Sequence, residues 1–212
     1  TWVISADHGE AFHDHGESLH GTNLYQEQIR VPLLWVGPGI APRVIDDPVQ
    51  LIDVLPTLLS RSGSPLPTDL DGRDLSPLIR AAADPRAAQP AAANDEDFVY
   101  FMSDDQVSDN GSWLELGALR LPYRPVIQPG YVETVVARLA GSDGPTVWKY
   151  SRYFDGQRGR ADDEFELYCL SHDPLEQHNL AQPSQRTPQS QQAEAQLAAL
   201  LSRCRAQKRL GV

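Results

Sequence analysis

Two uninterrupted apolar runs, residues 1–6 (TWVISA) and 30–37 (RVPLLWVG), bracket a stretch too polar to be core. A strand with one wet face alternates apolar and polar residues, whereas a strand covered on both faces reads as a continuous apolar run. The two runs therefore predict members of a mainly parallel sheet with helices on each side, an α/β architecture. The chain opens inside the first run, so a site at that strand's end is expected to borrow part of its surroundings from elsewhere.

Further along, VQLIDVLPTLLSRSG at residues 49–63 places apolar residues at 51, 52, 55, 58 and 59, which is helical spacing, and ends on Gly63 as a stop signal. Pro56 fits the first turn of a helix that starts near Asp53, with Asp53 as its cap. LDGRDLSPLIR predicts a turn at Asp71-Gly72 leading into a short helix. Residues 81–97 are almost entirely Ala, Pro and polar side chains and predict a linker or surface excursion. Beyond them FVYFMS, LGALRL, YVETVVARL, TVWKYSRYF and FELYCL are short β-rich segments with turn residues between, the pattern of an antiparallel sheet. Ala193, Leu197, Leu200 and Leu201 then recur at spacings of three and four, predicting a terminal amphipathic helix. The expected organisation is thus an α/β part at 1–80, the linker at 81–97, and a subdomain at 98–212 with an antiparallel sheet and a C-terminal helix.

The stretch between the two opening runs, SADHGEAFHDHGESLHG at residues 5–21, holds four of the chain's six histidines. Asp7 and His8 fall at the carboxyl end of the first strand, where open α/β folds place their ligands. Gly9 would let the backbone turn so that both side chains converge. An Asp-His pair after a strand is equally a turn with a satisfied histidine. His13, His15 and His20, spaced with Gly16 and Gly21, add weight to chemistry because such a loop has few apolar side chains to bury. A net charge of −11 argues against nucleic acid or an anionic membrane as the main partner. The two cysteines, Cys169 and Cys204, are too few and too far apart for a disulfide framework or a zinc ribbon, and no run is long and apolar enough to span a membrane.

TWVISADHGEAFHDHGESLHGTNLYQEQIRVPLLWVGPG, VQLIDVLPTLL, LDGRDLSPLI and FELYCLSHDPLEQHNLA resemble successive signature segments of the sulfatase family within the alkaline phosphatase superfamily. They stand in the family's order, cover nearly the whole chain, and match the C-terminal part of such an enzyme. The resemblance implies an alkaline-phosphatase-like fold and a sulfuric ester hydrolase acting on small-molecule sulfate esters. It assigns Asp7 and His8 to a divalent metal. Where many sulfatases have Asn and hold Ca2+, His8 offers nitrogen, which leaves Ca2+ or Mn2+ open and leans away from a strict calcium site. His20 sits where such enzymes place a Lys or His against the sulfate oxygens, a catalytic role. His15 is left between shaping the loop and facing substrate, with His13 solvated.

The family's nucleophile is a formylglycine made within a C-x-[PSA]-x-R segment. CLSHD at Cys169 and CRAQK at Cys204 do not fit it, so the nucleophile and the remaining metal carboxylates are expected upstream of Thr1. The isolated chain is accordingly expected to be an inactive C-terminal fragment. Two alternatives share the scaffold: a phosphodiesterase or phosphonate monoester hydrolase, whose substrate is a phosphate or phosphonate ester, and a non-catalytic module. Family members are often periplasmic or secreted, which is the sole pointer to a compartment. WKYSRYFDG (148–156) is either the lining of a substrate entrance or one face of a sheet, and His172 and His178 are expected at the surface.

Overall fold

The computed structural model of the chain describes residues 1–16, 20, 23–83, 98–104, 131–142, 144–154 and 163–207. Most of the expected linker (84–97) and the expected strand LGALRL (116–121) lie outside the described residues.

The larger sheet has four antiparallel strands in sequence order: β3 (Phe98–Asp104), β4 (Tyr131–Leu139), β5 (Thr146–Phe154) and β6 (Glu164–Cys169). The register sets Val135 against Tyr150 and Tyr150 against Leu167, so Val135, Ala137, Leu139, Trp148, Tyr150, Leu167 and Cys169 share one face. Helix α4 (Pro188–Gln207) lies on that face and buries Ala193, Leu197, Leu201 and Cys204 into the same core. Those positions recur every three or four residues, as the sequence pattern required, with Leu200 at the flank. Each fully buried leucine contributes about 2–3 kcal/mol. The start of α4 is closed by a reciprocal cap: the Thr187 amide donates to Ser190 Oγ at 2.9 Å, and the Ser190 amide donates to Thr187 Oγ1 at 3.1 Å. Pro188 occupies the first helical position, where no amide is needed.

WKYSRYFDG contributes strand β5, and its alternate residues Trp148, Tyr150, Arg152 and Phe154 lie on the α4 face. Of its two readings, the sheet face is the one the structure shows. The opposite face carries Val132, Thr134, Ser151, Tyr153, Lys149, Glu166 and Tyr168. It is covered by the segment around Leu24 and Tyr25, which contacts Tyr153 and Lys149. The sheet is therefore buried on both sides, which is why polar residues in its middle need partners.

The smaller sheet pairs β1 (Trp2–Ser5) with β2 (Leu33–Val36), with Trp2 opposite Val36 and Ile4 opposite Leu34. Every ladder among the described residues is antiparallel, and the two strands expected to belong to a parallel sheet pair with each other. A continuous apolar run reports that both faces are to be covered, not the direction of the neighbour. Trp2 and Val36 stand 74% and 53% exposed on one face of this pair.

Helix α2 (Val54–Ser62) ends at Gly63 in the left-handed conformation, φ 73°, with the Gly63 amide donating to the Ser60 carbonyl and the Ser64 amide to the Leu59 carbonyl. This is the closure the terminal glycine signalled. Leu51 and Ile52 in the turn before α2, with Leu55 and Leu58 on it, are exposed, while Asp53, Pro56 and Thr57 are buried. The cause is hydrogen bonding. Asp53 makes no side-chain cap to α2; its carboxylate accepts from the Gln50 amide at 2.8 Å and the Arg73 amide at 2.9 Å. Thr57 Oγ1 accepts from the Leu75 amide at 2.8 Å, just before α3 (Ser76–Ala83). These bonds clamp residues 72–75 onto the polar side of the helix. A Cβ on Gly72 would run into the Ile52 carbonyl, so glycine serves close approach there.

Candidate active-site loop

Asp7 lies two residues beyond the end of β1, and its side chain is 89% exposed. The His8 amide donates to Asp7 Oδ1 at 3.0 Å, and this bond is the main reason the Asp7 carboxyl sits below the usual carboxylate range. His8 Nδ1 lies 2.8 Å from the Gly9 carbonyl, so that nitrogen is the donor, and in the neutral ring this tautomer leaves the lone pair on Nε2. Nε2 is 3.7 Å from Asp7 Oδ2, which places one oxygen and one nitrogen donor side by side at the strand end.

The reason for Gly9 differs from the expected turn. Its amide donates to the Gln28 carbonyl at 2.7 Å, and a Cβ would collide with the Glu27 carbonyl. The loop is thus pressed against α1 (Gln26–Ile29) at a distance only glycine permits.

His20 returns to this point from the far end of the loop. Its ring stacks on His8 with centroids 4.0 Å apart and 25° between planes, and its Nδ1 lies 3.2 Å from Glu10 Oε2. The three residues singled out from the sequence, Asp7, His8 and His20, are therefore neighbours. Among the described residues no group of three or more His, Cys, Asp or Glu side chains is gathered in the manner of a metal cage. An oxygen and an imidazole nitrogen fit a cation such as Mn2+ as two ligands of a larger shell, and imidazole is a poor match to a purely oxygen-loving ion.

His13 is exposed. His15 is not: its side chain is 4% exposed, Nδ1 lies 2.7 Å from Glu27 Oε1 and Nε2 lies 3.2 Å from the Glu176 carbonyl. Its ring also stacks on Tyr25 at 3.8 Å and 10°. Of its two roles, the geometry supports shaping the loop.

Behind His15 lies a buried polar cluster that sequence reasoning did not find. Lys149 Nζ donates to Glu176 Oε1 and to the Leu24 carbonyl, and the Gln26 amide donates to Glu176 Oε2 at 2.6 Å. Tyr25 and Tyr153 donate their hydroxyls to the two oxygens of Glu166, at 2.7 and 2.9 Å. Burial pushes the Glu166 carboxyl up, the two tyrosines and Lys149 pull it part of the way back, and it settles at about 7. The signal that could have exposed the cluster is the placing of Lys149 and Glu166 inside otherwise apolar strands. The segment carrying Glu176 is fastened by two side chains. Asp173 accepts from the Gln177 and His178 amides, and Asn179 Oδ1 accepts from the Leu167 and Ala181 amides. His172 and His178 are exposed, as expected. Both cysteines are buried between the sheet and α4, Cys169 on β6 and Cys204 on the helix, and burial pushes the Cys169 thiol up, so neither presents a ready nucleophile.

The Sulfatase family model matches residues 1–64, which include this loop. Arylsulfatase K of Homo sapiens is 40% identical over 77 residues, covering 36% of this chain and 14% of that protein. Arylsulfatase K of Xenopus laevis is 27% identical over 181 residues, covering 84% of this chain and 27% of that protein. The chain thus spans well under half the length of these relatives. Among solved structures, BT4656 in complex with its substrate D-glucosamine-2-N, 6-O-disulfate matches with a TM-score of 0.61 at 18% identity, over 97% of this chain and 34% of that one. That likeness shows a shared fold along almost the whole chain. No described helix is long and apolar enough to cross a membrane. The family's pattern thus falls on the strand and loop that bring Asp7, His8 and His20 together, and it is over residues 1–64 that this chain is similar to the sulfatase family.

Proposed function

We propose that the chain supplies the C-terminal part of a metal-dependent sulfatase that hydrolyses small-molecule sulfate esters. The observation that carries this reading is the junction of Asp7, His8 and His20 at one strand end, inside the segment the family model matches. Asp7 and His8 would hold a divalent cation, Mn2+ or Ca2+, through the carboxylate and through His8 Nε2, whose lone pair is kept free by the bond to the Gly9 carbonyl. Such a cation supplies positive charge against the sulfate oxygens. His20, oriented by Glu10, is the group that donates to the ester oxygens and steadies the leaving group. The formylglycine nucleophile belongs to a segment outside this chain, since neither cysteine is placed for that role. The 212 residues alone are accordingly inactive in this reading.

In the same reading, residues 1–80 are the end of the α/β catalytic domain, and the exposed side of β1 and β2 joins its parallel sheet. The sheet of β3 to β6 with α4 is the C-terminal subdomain. The arylsulfatase relatives and the sulfated sugar bound by BT4656 support a sulfate ester as substrate.

The test is made in the enzyme completed by its nucleophile segment. Asp7→Ala is expected to remove most bound metal by isothermal titration, and His20→Ala to lower turnover of an aryl sulfate with metal retained. Full activity in Asp7→Ala would overturn the ligand assignment.

A further inference from the structure

The loop between the two halves of the candidate site is strained. Phe12, His13 and His15 all have positive φ, at 48°, 74° and 47°, although none is glycine. Each such residue costs about 1–2 kcal/mol, and the conformation persists only where its surroundings over-determine it. Phe12 and His13 are exposed, so of the three it is His15 whose side chain is buried and held, beside the buried Ala11 and the Gly9 amide on the Gln28 carbonyl.

His15 is gripped from three sides: the Glu27 carboxylate on Nδ1, the Glu176 carbonyl on Nε2, and the Tyr25 ring on its face. Both nitrogens face acceptors. A neutral imidazole has one N–H to donate, so the two bonds coexist only in the imidazolium. Glu176 is itself left-handed at φ 55° and fully buried, with its carboxylate taken by Lys149 and the Gln26 amide. Its carbonyl is thereby held toward His15. Two strained residues, 161 positions apart, meet across one hydrogen bond.

We propose that His15 is a positioning residue, whose imidazolium clasps the loop bearing Asp7, His8 and His20 to Glu27 and to the Glu176 backbone, so that the loop keeps its shape only while docked on the C-terminal sheet. The roles of Asp7, His8 and His20 rest on the sulfatase reading; the clasp itself does not. The charged and titratable groups around His15 are Asp14 in its own turn, Tyr25 just before α1, Glu27 in α1, and Glu176 from the segment after β6. Lys149 from β5 lies behind Tyr25, at 5.3 Å from its ring, with Glu166 and Tyr168 beyond. Lys149 is paired with Glu176, which leaves the Glu27 carboxylate as the charge in direct contact with the ring.

Burial by itself would lower the basicity of His15. The hydrogen bond and charge of Glu27 outweigh it, and the imidazole stays charged above its ordinary range. The clasp's stabilisation is therefore complete below the unfolded value of about 6.5 and fades as pH rises through the higher folded one.

Histidine-ring NMR on this chain tests the clasp without metal or substrate. Both His15 nitrogens are expected to be protonated at neutral pH, with a titration midpoint above about 6.5. Glu27→Gln should lower its proton affinity about tenfold or more. Hydrogen exchange of the amides at 9–16, corrected for intrinsic pH dependence, should accelerate as pH passes the His15 midpoint. In His15→Gln it should be about tenfold faster than in the parent and free of that pH step. A His15 midpoint at or below the free value that Glu27→Gln leaves unmoved overturns the proposal. So does exchange in His15→Gln as slow as in the parent.

Discussion

Replacing Glu166 with Gln tests how a buried carboxyl is tolerated between the loop and the sheet. Glu166 is 6% exposed, and its carboxyl lies at about 7 against an ordinary 4.5. Each tenfold gain in proton affinity is worth about 1.4 kcal/mol, so ionising Glu166 in the folded chain costs about 3 kcal/mol more than ionising it unfolded. The folded carboxyl binds its proton more tightly than the unfolded one, so stability falls as pH rises from about 4.5 through 7. Gln is nearly isosteric and does not ionise; its carbonyl can accept from one tyrosine while its amide donates to the other. Near pH 4.5 the variant and parent should therefore differ only by the rearranged hydrogen bonds. By about pH 8 the variant should have gained about 3 kcal/mol relative to the parent. Urea unfolding followed by tryptophan fluorescence at both pH values measures this as a change in midpoint at constant slope. Taking the variant-minus-parent difference removes contributions from groups present in both, His15 among them. A difference that is flat with pH, or that turns against the variant at high pH, would show that the tyrosine hydroxyls and Lys149 fully compensate the buried charge, refuting the reasoning.

Lys149→Met leaves Glu176 buried without its cation and should cost about 3–5 kcal/mol by the same unfolding assay. Gly9→Ala drives a methyl into the Glu27 carbonyl and should cost about 1–3 kcal/mol, with accelerated hydrogen exchange at residues 25–29 as the local readout. Leu197→Ala, at a side chain fully enclosed between α4 and the sheet, should cost about 2–5 kcal/mol in urea unfolding, and the half-buried Leu200→Ala clearly less.

Local pattern alone determined several features of this protein. Ala193, Leu197 and Leu201 are four residues apart and Gly63 follows an apolar periodic segment, so the terminal helix and the end of α2 are legible within a few turns of chain. The short β-rich segments declared an antiparallel sheet for the same reason, because alternation and turn residues are local. Asp7, His8 and His20 were legible as a group because all three lie in one loop of a recognisable family pattern.

Tertiary structure decided the rest. Whether β1 and β2 run parallel or antiparallel to a neighbour is absent from an apolar run, which records burial and not direction. The need for glycine at position 9 comes from how closely α1 passes, not from the local turn. The buried cluster joins Tyr25 to Glu166 across 141 residues and His15 to Glu176 across 161. Such pairs leave no periodicity, since each partner looks like a surface residue until the fold removes its water. His15 shows the division most plainly: its residue type placed it among the candidates for chemistry, and only the carboxylate and carbonyl that fold against its two nitrogens made it a tether.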